Sequence, residues 1–284
     1  MPSYNAVKRE YASVLTFHDN TFYESVTDCN WTTYGGLEGI SFSLEDSHFN
    51  DIAKCNNKVM SIFGPSSYLH NTSDVYVNGT GYTIAMWYNI SSDAMSKFYA
   101  DNKAFIPLVE WEDDSGMKCS IKIAAHDETT GNMCFRITYG TKTYDMGFPV
   151  YNEPDTWNHF MYTRFEDVDK FYINGALIGE VNADPNEFNS LCFFNLKIGN
   201  PYNQFEAHGI FSYAIDAFVL CNDALYRDEF EVPTRFLAWI FPEIERIDEL
   251  DGDDSIYKQG SMTGLKYIYS YPKYVGGSRL ELVS

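Results

Sequence analysis

Apolar and polar positions alternate with a period of two along much of this chain, and Gly, Asn, Asp and Pro interrupt the alternation at short intervals. That rhythm predicts short antiparallel strands joined by tight turns, not helices covering a parallel sheet. The sharpest local signal is Tyr172-Ile173-Asn174-Gly175-Ala176-Leu177. Asn-Gly between two apolar runs favours a type I′ hairpin, because both residues tolerate the positive φ that such a turn needs. Ile173 is then expected to face Ala176, Tyr172 to face Leu177, and Phe171 to face Ile178. Tyr82, Ile84, Met86 and Tyr88 fall on one face of a second strand, with Thr83, Ala85 and Trp87 on the other. Apolar groups on both faces predict the middle of a sheet, with Trp87 as a core anchor rather than a sugar platform.

Residues 14–17, 106–111, 118–125, 133–139, 196–198 and 215–220 read as further strands. Pro107 lacks an N–H, so its strand is expected near a sheet edge. Residues 112–116, 126–132 and 140–142 carry turn chemistry, and 199–201 is a Gly-Asn-Pro breaker. Residues 94–103 read as a short helix or an irregular excursion. From Val232 the pattern changes. Pro242 suits the first position of a helix running to Leu250, with Gly252 as its stop. Leu265, Tyr267, Tyr269 and Tyr271 then alternate like an isolated strand, which must dock to bury its face; a neighbouring chain is the preferred partner.

Composition sharpens this picture without naming a function. The chain has 284 residues, 17% of them aromatic, with 22 Tyr and 21 Phe, which favours strands and excludes wholesale disorder. A net charge of −20 repels phosphates and anionic lipid, so neither nucleic acid nor a membrane surface is an expected partner. No apolar run is long enough to span a bilayer, and no apolar signal segment follows Met1. The chain is therefore expected to fold in the cytoplasm where it is made. The six cysteines are far apart and form no CxxC, so they are expected as reduced thiols serving as small buried hydrophobes.

Several ordered motifs carry a resemblance. Trp157-Asn158-His159, Phe171 to Gly175, Leu196-Lys197-Ile198-Gly199, Ile215-Asp216-Ala217 and Asn222-Asp223-Ala224-Leu225 follow one another as in laminin-G-like, concanavalin A-like jelly-roll domains. One departure is Tyr213, where the family usually has Gly two residues before the Ile-Asp pair. The opening also resembles such modules in bacteriophage tail and virion proteins: a strand at 14–17, an acidic loop, Asn30-Trp31-Thr32-Thr33 and Gly35-Gly36. The resemblance covers roughly Val14 to Phe230. It implies an all-β, two-sheet antiparallel jelly-roll sandwich over residues 1–231. A short C-terminal helix and strand extension, residues 232–284, is read as an element for docking or assembly.

Catalytic motifs are missing. There is no GxSxG, P-loop, HExxH or GxGxxG, and the six histidines follow no metal-binding rhythm. Glu249, Asp251 and Asp253 have the spacing of a glycosidase carboxylate pair but read as a solvated acidic turn. Glu110 and Glu112 flank Trp111 on one strand face, an arrangement that alternation alone explains. His159 stands at the family's usual His position and is read as structural. The chain is therefore expected not to be an enzyme. Trp111, Asp113, Asp114 and Tyr202 are the candidates for ligand contact. No cofactor is expected, except that the resemblance admits a rim calcium ion; Asp28 and Asp216 are the metal candidates, with Asp113 and Asp114 beside them. The function expected is that of a bacteriophage virion protein presenting a lectin-like sandwich to host glycans or to other subunits. Its partners would be other virion proteins or copies of itself, bound through 232–284. The alternatives are a carbohydrate-binding module of a cellular surface protein and a glycoside hydrolase on the same fold.

Overall fold

The Asn174-Gly175 pair turns the chain as its dihedrals require, with φ of 49° and 83°. Around it the computed structural model describes residues 11–18, 21–24, 31–34, 40–43, 57–62, 64–77, 81–125, 133–146, 153–182, 192–202, 209, 212–221, 224–232, 265–268 and 279–282. In chain order the first strands are β1 (Tyr11–His18), β2 (Thr21–Glu24), β3 (Trp31–Tyr34), β4 (Ile40–Ser43), β5 (Asn57–Ile62), β6 (Ser67–Asn71), β7 (Val75–Tyr76) and β8 (Gly81–Ile90). Helix α1 (Ser92–Ala100) follows, then β9 (Phe105–Glu112), β10 (Lys118–Ala125), β11 (Met133–Tyr139), β12 (Lys142–Met146) and β13 (Trp157–Phe165). The remainder are β14 (Val168–Ile173), β15 (Ala176–Asn182), β16 (Cys192–Asn200), β17 (Tyr213–Cys221), β18 (Leu265–Ile268) and β19 (Arg279–Leu282).

Among the described residues these strands form two large antiparallel sheets and one small one. The first has the order β15-β14-β13-β8-β17-β1-β5-β4, with β2 beside β1. The second runs β12-β11-β10-β9-β16-β6-β3, with β7 beside β16. Their inner faces meet in one core rich in aromatic rings. Tyr82, Ile84, Met86 and Tyr88 of β8 and Phe160 and Tyr162 of β13 pack against Ile121, Ile123, Phe135 and Ile137 from β10 and β11. Burying a ring of this size is worth roughly 1.5–3 kcal/mol, so the core is ample for a sandwich. The antiparallel strands are those the alternation predicts, and their two sheets form the all-β sandwich that the resemblance implies.

Ile173 pairs with Ala176 and Tyr172 with Leu177, as the hairpin reading requires. Phe171, however, pairs with Gly179 rather than Ile178, because a bulge shifts the register between Phe171 and Tyr172. β8 is central as expected, held between β13 and β17.

Pro107 overturns an expectation. Its strand β9 is interior, between β10 and β16. The missing N–H is tolerated because β9 bulges there: Lys122 pairs with Pro107 and Ile121 with Val109, which leaves Leu108 unmatched. On the other side the ladder with β16 reaches only the Ile198–Val109 pair.

Residues 92–100 are helical. The Ser91 side chain accepts the Ala94 N–H at 3.2 Å and so caps α1, which buries Ala94, Met95 and Phe98. The strand read as isolated in the tail has a partner, since β18 pairs with β19 in a two-stranded sheet. The helix expected from Pro242 to Leu250 lies outside the described residues.

Candidate functional site

A sandwich has two outer faces, and they are built differently. Over the first sheet, Trp87, His159, Met161 and Tyr172 are buried although they belong to its outer face. Trp87 meets His159 edge-on at 5.1 Å. Residues 224–232 run over part of this face as a strap, above His159 and Tyr172. The Phe230 ring meets Tyr172 at 5.5 Å and His159 at 6.1 Å, and stacks on Tyr226 at 4.0 Å. Its backbone N–H donates to the Gly175 carbonyl at 3.1 Å. Further along, the Leu225 N–H donates to Thr83 Oγ1 and Lys170 Nζ to the Arg227 carbonyl. The Arg227 guanidinium sits 3.5 Å from the Phe165 ring centre. The Asn174 side chain belongs to the same clamp: its carbonyl oxygen accepts the His159 N–H at 2.7 Å. Trp87 and His159 are therefore packed as structural side chains, but Trp87, expected as a core anchor, is buried on the outer face of its sheet rather than in the core between the sheets.

The outer face of the second sheet carries polar and aromatic side chains in register. Thr32 pairs with His70, His70 with Lys197, Lys197 with Glu110, Glu110 with Ser120, Ser120 with Thr138 and Thr138 with Thr143. Directly opposite residues share a face, so this is one polar row crossing seven strands, from β3 to β12. Lys197 Nζ lies 3.0 Å from Glu110 Oε1, and Asn195 donates to Glu112 at 2.8 Å. Arg136 holds Asp145 through two hydrogen bonds of 2.6 Å each.

Aromatic rings border this row. Tyr34 and Tyr68 are register partners and stack with centroids 4.9 Å apart and planes only 2° from parallel. His70 lies 5.6 Å from Tyr34. Burial holds the His70 pKa below the usual histidine value; the Lys197 charge adds to that, and the Asn195 amide opposes it. At the other end of β16, Tyr76 meets Phe194 edge-on at 5.7 Å. Tyr34 and Tyr76 are 43% and 54% exposed, high values for rings of this size.

The sequence candidates are not brought together as a site. Trp111 is 3% exposed and packs in the core against Phe193 and Tyr139, so it offers no surface platform. Asp113 is buried in its turn, where one carboxylate oxygen accepts the N–H groups of Ser115 and Met117, both at 2.8 Å. Asp114 is exposed next to it. Tyr202 stands elsewhere, edge-on to Phe105 at 5.1 Å, with Lys122 Nζ 5.4 Å from its ring centre. Asp216 is fully buried on β17, opposite Trp87 of β8. Asp28 lies outside the described residues. Among the described residues, no three His, Cys, Asp or Glu side chains cluster as metal ligands would. Glu110 and Glu112 are each held by a neighbour on β16, Lys197 and Asn195 respectively. Cys119, Cys134 and Cys221 are buried thiols, and Cys192 is partly exposed. No described helix is long and apolar enough to cross a membrane.

Sequence reasoning missed Tyr34, Tyr68, His70, Asn195, Lys197 and Tyr76. A usable signal was present in β6, where Tyr68 and His70 alternate with buried Ser67, Leu69 and Asn71. The strand therefore advertises two aromatic rings on a polar face.

The core filling also explains why Tyr213 stands where a glycine is usual. Tyr213 is buried, and its hydroxyl donates to the carbonyl of Pro107 in the opposite sheet. It ties the β9 bulge to β17, a bond that Gly could not make. A model of the concanavalin A-like lectin/glucanases superfamily matches residues 63–230, more than half of the chain, and the chain belongs to that superfamily. A comparison with curated proteins finds no match.

Among solved structures, domain 4 of AbnA, an extracellular GH43 arabinanase from Geobacillus stearothermophilus in complex with arabinotriose, is similar. It has 16% identity and a TM-score of 0.53, over 78% of this chain and 96% of that one. The receptor-binding domain of botulinum neurotoxin type G gives 12% identity and a TM-score of 0.47, over 76% and 49%. A Trypanosoma rangeli sialidase in complex with the inhibitor DANA gives 12% and 0.44, over 75% and 31%. At such identities the likeness is one of fold. The chain spans about half the length of the neurotoxin domains it matches.

Proposed function

We propose that this chain is a non-catalytic glycan-binding sandwich and that its binding surface is the outer face of the β3–β12 sheet. The observation that carries the reading is the stack of exposed Tyr34 on half-buried Tyr68 beside the His70, Lys197 and Glu110 row. A sugar ring has an apolar C–H face and a hydroxyl edge. A tyrosine platform takes the first, and a carboxylate, an ammonium and an imidazole exchange hydrogen bonds with the second. The arabinanase domain with bound arabinotriose is consistent with this use of the fold.

The reading is binding without bond cleavage. The carboxylates on this face, Glu110, Glu112 and Asp145, are engaged by Lys197, Asn195 and Arg136 respectively. A glycosidase needs one carboxyl free to protonate the leaving group and a second placed for nucleophile or base. The narrower form of the proposal is a bacteriophage virion component that displays this face to a host glycan. It is supported by the resemblance of the opening residues to phage tail modules, with residues 232–284 serving for assembly with other virion proteins or copies of the chain.

A glycan array probed with the full chain tests the first part. Retention of a defined set of glycans, lost on Tyr34→Ala or Tyr68→Ala with the melting temperature unchanged, is the expected result. Release of reducing ends from a retained glycan would show catalysis and overturn binding without cleavage. Mass spectrometry of purified virions tests the second part, and a particle lacking the chain would remove it.

A further inference from the structure

The two aromatic pairs lie at opposite ends of one strand. Tyr68 pairs with Gly199 of β16, and Tyr76 pairs with Cys192 of the same strand. Residues that alternate along a strand share a face, so Cys192 and Phe194 lie on one side together. Phe194 pairs with Glu112, which shares its side with Glu110, and Glu110 pairs with Lys197. His70 and then Tyr68 continue that side along β6. Tyr76, Phe194, Glu112, Asn195, Lys197 and Tyr68 therefore belong to one surface running along β16. From Cys192 to Gly199 the strand advances roughly 20 Å at about 3.3 Å per residue, slightly less for the bulge between Phe194 and Lys197.

Resting on the glycan-binding reading above, we infer that the ligand is a linear, uncharged oligosaccharide lying along β16, with one aromatic platform under each end. A monosaccharide is about the size of one tyrosine ring and cannot touch both platforms. The polar groups occur between the platforms: Asn195 with Glu112, and Lys197 with Glu110 and His70. Hydroxyls of the middle units meet that stretch, so an internal segment of the glycan is read rather than a chain end. Charge selects further. Lys197, the cation at the centre, is already neutralised by Glu110. The whole chain carries −20 and repels a polyanionic glycan such as a uronate or sialate polymer.

The test is a chain-length series of one neutral glycan from the array hits, from the monosaccharide upward. Binding is measured calorimetrically with the intact chain and with Tyr34→Ala and Tyr76→Ala. Affinity is expected to rise with each added unit until both platforms are covered, and then to level off. Each substitution should lower it on the order of tenfold, and Tyr76→Ala should move the plateau to a shorter chain. Equal affinity for monosaccharide and oligomer, or insensitivity to Tyr76→Ala while Tyr34→Ala abolishes binding, would overturn the extended site and leave a glycan-binding face standing. Preference for an anionic polymer would overturn the charge selection. No retention of any glycan would remove both readings.

Discussion

The carbonyl oxygen of Phe230 occupies the space where any residue other than glycine would carry its β-carbon at position 175. The hairpin turn and the strap over the outer sheet face thus depend on the same missing side chain. Gly175 also holds a φ of 83°, which L side chains rarely adopt. Gly175→Ala is expected to destabilise the sandwich by about 2–4 kcal/mol and to lift the strap. A chemical melt checks the first, and faster exchange of the Leu225 and Phe230 amides checks the second. An alanine variant with unchanged exchange would disprove the coupling.

A buried polar chain crosses the core between the sheets. Tyr139 of β11 and Tyr82 of β8 each hydrogen-bond the Tyr162 hydroxyl, which donates to Asp169 at 2.9 Å. Arg164 lies 3.9 Å from the same carboxylate. Burial raises the Asp169 pKa to about 6, against the pull of Arg164 and the Tyr162 bond. The folded pKa exceeds the unfolded one, so the protonated group favours the fold. That contribution is complete below about pH 4 and is lost as pH rises through about 6. Its full size is on the order of 2–3 kcal/mol. Melting temperatures measured from pH 4 to 7 should carry this decline in the native chain, and the decline should vanish in Asp169→Asn. An identical slope in both proteins would refute the assignment.

Trp87 is expected to tolerate truncation poorly although it points away from the central core. It is buried and wedged against His159, whose ring Phe230 of the strap meets edge-on. Trp87→Ala should cost about 3–5 kcal/mol. Glycan retention on the opposite face, measured below the midpoint of unfolding, should be unaffected. Loss of binding in a folded Trp87→Ala chain would move the binding surface to the strap side.

Removing residues 233–284 should leave the sandwich intact, because Phe230 and its strap remain in place. The shortened chain is expected to melt cooperatively within a few degrees of the full one and to fail to enter particles. Incorporation of the shortened chain would rule out an assembly role for the tail.

Local chemistry was legible wherever it was decisive by itself. Asn174-Gly175 could hardly make anything but a tight hairpin, and the two apolar faces of 82–88 required a central strand. Pro107 misled because a bulge compensates for its missing N–H, and that bulge is stabilised by Tyr213 more than a hundred residues away. The strap was illegible for a similar reason. Residues 224–232 have no periodicity of their own and acquire meaning only from His159 and Tyr172 beneath them. The candidate site was missed because its residues come from β3, β6, β7, β9 and β16, which only sheet pairing makes neighbours. Trp111 drew notice instead as a large ring beside two acids, yet the same alternation that exposes Glu110 and Glu112 turns it inward.

The polar row from Thr32 to Thr143 has a consequence for how the chain can vary. Neighbouring positions in each strand belong to opposite environments, so a slip of one residue in β16 would bring Leu196 to the solvent and drive the Lys197 ammonium among phenyl rings. The bulges at Leu108 and before Lys197 act as locks against that slip. Side chains along the row can therefore be exchanged without moving a strand, whereas an insertion or deletion of a single residue in β9 or β16 would shift the register and disrupt the proposed surface and the fold together.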